Sequence, residues 1–111
     1  MGIARKDRVA EAIKAAVAEF LILNLANSTP GFISVSKVRV TSDLKLAYVY
    51  FSIYGSEKDV AYSFKILEGL NGRVRFHVGN EVPLKFVPKL KFFIDDSLEY
   101  TDKMNRVMKD I

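Results

Sequence analysis

Val9, Ile13, Val17, Phe20 and Leu21 recur at helical spacing between about Lys6 and Leu25, with Arg8, Glu11 and Glu19 on other faces. This predicts an amphipathic helix whose apolar stripe needs a sheet to cover it. Asn27-Ser28-Thr29-Pro30-Gly31 ends the helix, because proline cannot continue it and glycine tolerates left-handed dihedrals. A β-branched stretch follows in which Ile33, Val35, Lys37, Arg39 and Thr41 alternate with Ser34, Ser36, Val38 and Val40. Its apolar side changes partway, which predicts a strand carrying a bulge. Thr41-Ser42-Asp43 is a polar reversal. Beyond it, Leu46, Tyr48, Tyr50 and Ser52 alternate with Ala47, Val49, Phe51 and Ile53 in a second strand, completing a long antiparallel hairpin.

Tyr54-Gly55-Ser56 breaks the hairpin, and Ser56 with Asp59 has capping-box spacing, Asp standing where Glu is usual. Val60, Phe64, Leu67 and Leu70 then carry a helical stripe into Gly69-Leu70-Asn71-Gly72, where two glycines and an asparagine interrupt it. Val74, His77, Val78 and Val82 form a second short stripe. Leu84 to Ile94 reads as a third strand, in which Pro88 cannot donate a ladder hydrogen bond and belongs at an edge or a bulge. Ser97 can cap a final helix from about Leu98 to Met108, with Tyr100, Met104, Val107 and Met108 as its apolar members. The order α-β-β-α-α-β plus a short C-terminal helix predicts an α+β fold, a three-stranded sheet with helices packed on one face. No repeat, linker or low-complexity segment divides residues 1–111, which read as one domain whose end, from about 97, is a helix or a flexible tail.

With 111 residues, half of them apolar, the chain has material for one core. It has no cysteine, which excludes disulfides, thiolate metal sites and a cysteine nucleophile. No apolar run approaches the roughly 20 residues that span a bilayer, and the N-terminus lacks a secretory pattern. A soluble, cytoplasmic protein without a membrane partner is expected. Seventeen Lys and Arg against thirteen Asp and Glu give a net charge of +4, which favours a polyanionic partner. The excess is local. From Gly69 to Ile94, Arg73, Arg75, Lys85, Lys89 and Lys91 face only Glu81, whereas Asp95 to Ile111 is acidic.

Glycines between two helices let a backbone approach phosphates closely, and the free N–H groups and positive dipole end of the second helix attract the anion. By spacing alone, Gly69 to Gly72 reads as a helix terminator. Its context raises the other reading: the hairpin, the two helices around a GxxG and the third strand occur in the order of bacterial-type KH domains, with basic residues after the turn. Lys85, Lys89 and Lys91 share a strand face by their even spacing, and Lys37, Arg39 and Lys45 lie on or beside the hairpin. Arg5, Lys6 and Arg8 cluster at the first helix. Tyr48, Tyr50, Phe51, Phe92 and Phe93 can stack on bases, although aromatics in alternating strands are usually core. His77, the only histidine, lacks a spaced carboxylate partner in the sequence and reads as a packing or groove residue. Asp95-Asp96 reads as a cap for the last helix. No Walker loop, nucleophile elbow or zinc spacing is present, so no catalytic set can be assembled. No metal, cofactor or small-molecule substrate is expected.

Several stretches resemble the ribosome-binding factor A family nearly end to end. They are Arg8-Val9-Ala10-Glu11-Ala12-Ile13, Gly31-Phe32-Ile33-Ser34-Val35, Ser42-Asp43-Leu44-Lys45-Leu46-Ala47-Tyr48-Val49-Tyr50 and Asn71-Gly72-Arg73-Val74-Arg75. The most specific are Leu84-Lys85-Phe86-Val87-Pro88-Lys89-Leu90-Lys91-Phe92 and Asp95-Asp96-Ser97-Leu98-Glu99. The resemblance implies a type II KH fold, no enzyme activity, binding to the free small (30S) ribosomal subunit, and maturation of its 16S rRNA, including 5′-end processing and cold adaptation. The family usually carries Ala-x-Gly at the turn; here the frame falls on Leu70-Asn71-Gly72, with Gly69 added. Its Asp-Pro-Arg after the first helix is replaced by Ser28-Thr29-Pro30. The expected RNA-binding residues are Arg5, Lys6, Arg8, Gly69, Leu70, Asn71, Gly72, Arg73, Arg75, Lys85, Lys89 and Lys91, on a monomer. The rival reading is a KH-like protein-interaction module in which RNA contact is incidental; a small enzyme ranks third.

Overall fold

The helical stripe at the N-terminus becomes α1 (Arg5–Leu25), which buries Val9, Ala10, Ile13, Ala16, Val17, Phe20, Leu21 and Leu25. The computed structural model describes residues 4–95. After α1 the chain turns through Asn27, whose φ of 62° is the left-handed conformation asparagine tolerates.

β1 (Phe32–Val40) and β2 (Leu46–Tyr54) pair antiparallel. Their register runs from Phe32 opposite Tyr54 to Val35 opposite Phe51, then resumes with Lys37 opposite Tyr50 and ends with Val40 opposite Ala47. Ser36 is the extra residue of a bulge, as the change of apolar side predicts. Because side chains alternate, one inserted residue keeps Ile33, Val35, Val38 and Val40 on one side while Lys37 and Arg39 take the other. The Ser36 hydroxyl donates to the Asp95 carboxylate just beyond the last strand.

β3 (Lys89–Ile94) runs parallel to β2, from Lys89 opposite Leu46 to Ile94 opposite Phe51, so the sheet is mixed and ordered β1-β2-β3. A parallel neighbour requires a crossover. It is made by α2 (Glu57–Gly69) and α3 (Asn71–Glu81). The capping box forms: Asp59 N donates to Ser56 Oγ at 3.1 Å and Ser56 N to Asp59 Oδ2 at 3.2 Å. All three helices cover the same face of the sheet, burying Ala47, Val49, Phe51, Ile53, Leu90 and Phe92 with Leu67, Val74 and Val78. The order and the mixed sheet are those of the bacterial-type KH fold.

Two expectations are corrected. The third strand begins at Lys89, not Leu84, because residues 83–88 form an irregular segment between two prolines. Leu84 N donates to Val82 O at 2.8 Å in a tight turn, and the Val87 and Pro88 carbonyls accept from Arg75. Pro88 is buried just ahead of the edge strand, where its missing N–H leaves no gap in the ladder. The break between α2 and α3 is also shorter than four residues. Only Leu70, at φ −99° and ψ 6°, separates them; Gly69 closes α2, Asn71 and Gly72 open α3, and neither glycine has a positive φ. The helix expected from Leu98 to Met108 with its Ser97 cap, and Asp96, lie outside the described residues.

Candidate nucleic-acid interface

The hairpin tip is built by side chains that replace missing backbone partners. Thr41 Oγ1 donates to Asp43 Oδ1 at 2.6 Å, Lys45 N donates to the same oxygen at 3.0 Å, and Leu46 N donates to Thr41 Oγ1 at 3.1 Å. The Thr41 hydroxyl, then the Lys45 amide, hold the Asp43 carboxyl below the usual aspartate range. Lys89 N reaches across to Lys45 O at 3.0 Å, fixing the start of β3 beside the tip.

A groove of about 740 Å³ opens there. Among the described residues its cations are Arg5, Lys45, Arg75, Lys85, Lys89 and Lys91, its one carboxylate is Asp43, and Leu44, Leu46, Leu84, Phe86 and Val87 supply apolar wall. Six positive charges around an apolar floor suit a partner with phosphates outside and flat apolar rings inside. Arg75 has a second task. Its Nε donates to Pro88 O at 3.0 Å and its Nη2 to Val87 O at 2.7 Å, so it fastens residues 83–88 to α3.

Five of the twelve expected site residues therefore meet in one groove: Arg5, Arg75, Lys85, Lys89 and Lys91. Lys85 reaches it from the irregular segment and not from a shared strand face. Lys6 and Arg8 are exposed on the first turns of α1 and do not line the groove. Arg73 turns to α1, with Nη2 3.4 Å from Asn24 Oδ1 and its guanidinium 5.9 Å from the Phe20 ring. Asn71 Nδ2 donates to Leu90 O at 2.9 Å and ties the helix turn to β3, while Leu70 packs against the core. Gly69 and Gly72 are exposed, and a side chain at either would meet nothing within 4 Å. Lys45 and the apolar wall were missing from the sequence-based set; what marks Lys45 is its place at the tip, beside the strand that β3 joins.

His77 does have a carboxylate neighbour, contrary to the sequence reading. Its Nε2 lies 2.9 Å from Glu19 Oε1 across the α1–α3 contact, out of line for a hydrogen bond, and its ring meets Phe20 edge-on at 5.8 Å. Glu19 comes from another helix, so spacing could not reveal it, whereas Glu81, four residues on along α3, is a neighbour that helical spacing does offer. Among the described residues, Glu19, His77 and Glu81 bring ligand atoms within 4.8 Å of one another, a set that could hold a metal ion; both glutamates are exposed.

No helix among the described residues is long and apolar enough to cross a membrane. The chain is similar to ribosome-binding factor A of Staphylococcus carnosus (strain TM300), 36% identical over 107 residues that cover 96% of this chain and 93% of the relative. It is 34% identical to ribosome-binding factor A of Citrifermentans bemidjiense over 109 residues, 98% of this chain and 92% of the relative. The crystal structure of ribosome-binding factor A from Thermus thermophilus matches with a TM-score of 0.68 at 21% identity, over 80% of this chain and 93% of that one. A Thermus thermophilus ribosome binding factor A model fitted into a cryo-EM map of a 30S complex matches with a TM-score of 0.67 at 20% identity, over 86% and 97%. The family model described as ribosome-binding factor A spans residues 5–108, and this chain belongs to that family.

Proposed function

We propose that this chain is a cytoplasmic, monomeric assembly factor that binds the free small (30S) ribosomal subunit and assists maturation and 5′-end processing of its 16S rRNA. The geometric observation that carries this reading is the convergence of Arg5, Lys45, Arg75, Lys85, Lys89 and Lys91 on one groove with an apolar floor. Family membership supplies the ribosome, since the relatives are ribosome-binding factors and one was fitted into a 30S complex. Phosphate contacts from the groove position the RNA, and the turn at Gly69 to Gly72, with nothing standing over either glycine, lets a backbone come close.

Co-sedimentation of the protein with free small subunits and with intact ribosomes tests the reading. Binding is expected on free small subunits and to fall steeply with salt, by about 0.7 to 0.9 in the logarithmic slope for each phosphate contacted. Lys85→Glu combined with Lys89→Glu should abolish it by reversing two of the six charges, and both side chains are exposed, Lys85 lying over the ring of Phe86, which is itself exposed. Arg75→Glu is a poor probe, since it frees two backbone carbonyls as well. Undiminished sedimentation of the lysine double variant would overturn the groove as the RNA site.

A further inference from the structure

Among the described residues, the helices cover one face of the sheet and nothing packs over the other. Register fixes what that open face carries. Lys37, Tyr50 and Phe93 stand side by side across the three strands, and Arg39, Tyr48 and Lys91 form the next row towards the hairpin tip. Phe93 stacks on Tyr50 at 5.4 Å with the rings 26° apart, and lies 5.9 Å from Tyr48. Lys37 Nζ sits 4.7 Å from the centre of the Tyr50 ring. Tyr48 and Tyr50 are half-buried, and Phe93 is 40% exposed. Lys89 continues the face to the tip, so the strand positions pointing this way hold four cations, and the Asp95 carboxylate, bonded to the Ser36 hydroxyl, lies at the far end just past β3.

From this arrangement we propose that the open face of the sheet is a second binding surface, a stacking platform for unpaired nucleotides of RNA. It rests on the RNA-binding reading above and extends it to residues outside the groove. Tyr48 and Tyr50 are two residues apart on one strand, hence about 6.7 Å, room for two successive unstacked bases. Aromatic side chains on an open sheet hold two or three bases in this way, and stacking tolerates any sequence because every base has a flat face. Lys37 and Arg39 on one side and Lys91 on the other are placed for the phosphates, and the flexible stem of Lys37 lets its ammonium leave the Tyr50 ring for a phosphate. Charge calls for an anionic occupant, since an uncharged surface would leave the cations facing it unpaired, and the flat rings set between those cations suit nucleotide bases. Lys89 and Lys91 also line the groove, so one strand can pass from groove to platform.

The test measures binding of the full chain to a fluorescent 12-nucleotide single-stranded RNA of mixed sequence, by anisotropy across a salt series. Changing Tyr48, Tyr50 and Phe93 together to leucine keeps apolar bulk but removes the rings; affinity should fall at least roughly tenfold, the range of a single lost base stack, with the salt slope unchanged. Lys37→Gln with Arg39→Gln should instead lower that slope by about 1.4, at about 0.7 per single-strand phosphate. Ultraviolet crosslinks should map to peptides containing Tyr48, Tyr50 or Phe93, and thermal melting of each variant establishes that it folds; if the triple variant does not, Tyr50→Leu alone takes its place. Unchanged affinity of a folded leucine variant, with Lys85→Glu weakening binding, overturns the platform and leaves the groove standing. Loss in neither set overturns both. If the face is covered by a second copy, by residues 96–111 or by a ribosomal protein, the leucine variant alters that association and not RNA affinity, which likewise overturns the platform.

Discussion

Along β2, Ala47, Val49, Phe51 and Ile53 lie buried beneath the helices, whereas Leu46, Tyr48, Tyr50 and Ser52 face away and keep part of their surface in water. Both sets are largely apolar. What separates them is the company on the flanking strands: Val38, Val40, Leu90 and Phe92 extend the covered side, and Lys37, Arg39, Lys89 and Lys91 extend the open one. An unpaired cation under the helices would lose its hydration at a cost of several kcal/mol, so the helices settle on the other face. Charge on neighbouring strands, more than hydrophobicity on the central one, decides which side of this sheet becomes core.

Ser36 makes that sorting possible, and removing it should have the largest effect. Deleting Ser36 forces one half of β1 to turn over, placing either Lys37 and Arg39 under the helices or Ile33 and Val35 in water. We expect no cooperative thermal transition and no near-ultraviolet circular dichroism. A deletion variant that melts within a few degrees of the parent would show that the bulge does not sort the faces.

Adjacent aromatics on β2 give the next contrast. Phe51 is fully buried and meets Phe92 edge-on at 5.0 Å. Phe51→Ala should cost about 3 to 5 kcal/mol. Tyr50→Ala loses a partly exposed stack worth about 1 kcal/mol. Urea unfolding of the two variants measures the difference, and equal losses would erase the distinction between the sides.

Period and turn chemistry made most of this architecture legible: α1, the bulged hairpin, the Ser56 cap and the two helices of the crossover follow from residue spacing alone. The start of β3 was not legible, because Leu84, Phe86 and Leu90 alternate like a strand while Arg75, in a different helix, holds residues 87 and 88 out of the ladder. The groove was half legible. Charge clusters pointed to Arg5, Arg75, Lys85, Lys89 and Lys91, but Lys45 joins the set only through the fold, and Lys6, Arg8 and Arg73 fall elsewhere. Alternation set Tyr48 and Tyr50 on the opposite face from Phe51, yet only the register brings Phe93, and not Phe92, beside them.

Glycines repeat the contrast between covered and open surface at smaller size. Gly31 is buried, its N–H donates to Ser63 Oγ at 2.9 Å, and an added Cβ would come within 2.8 Å of Ile53 Cγ2 and 2.9 Å of the Tyr54 carbonyl. Gly31→Ala should therefore cost about 1 to 3 kcal/mol by overpacking. Gly72 has open space and no positive φ, so Gly72→Ala should stabilise the protein by about 0.5 kcal/mol. If the same alanine weakens co-sedimentation with small subunits, the glycine serves a close approach by the partner and not the fold. A Gly72→Ala protein that is more stable and binds equally well would remove the turn from the interface.

The smallest effect concerns the one carboxylate among the six cations of the groove. Asp43 is fully exposed, yet the Thr41 hydroxyl and the Lys45 amide both donate to its Oδ1, so the folded protein favours the ionised form. The sign follows from linkage: a carboxyl whose value is lowered on folding adds stability that is present above its unfolded value and lost as pH falls through the folded one. Asparagine can still accept both hydrogen bonds but carries no charge, so Asp43→Asn should lower neutral-pH stability slightly and remove this acid-side dependence. Carboxyl carbon shifts in a pH titration should place the Asp43 midpoint below the ordinary aspartate value, with the Lys45 amide shift following the same curve. A midpoint at or above that value would mean that the hairpin tip does not hold the carboxylate, leaving its charge free to offset the cations where an RNA phosphate would sit.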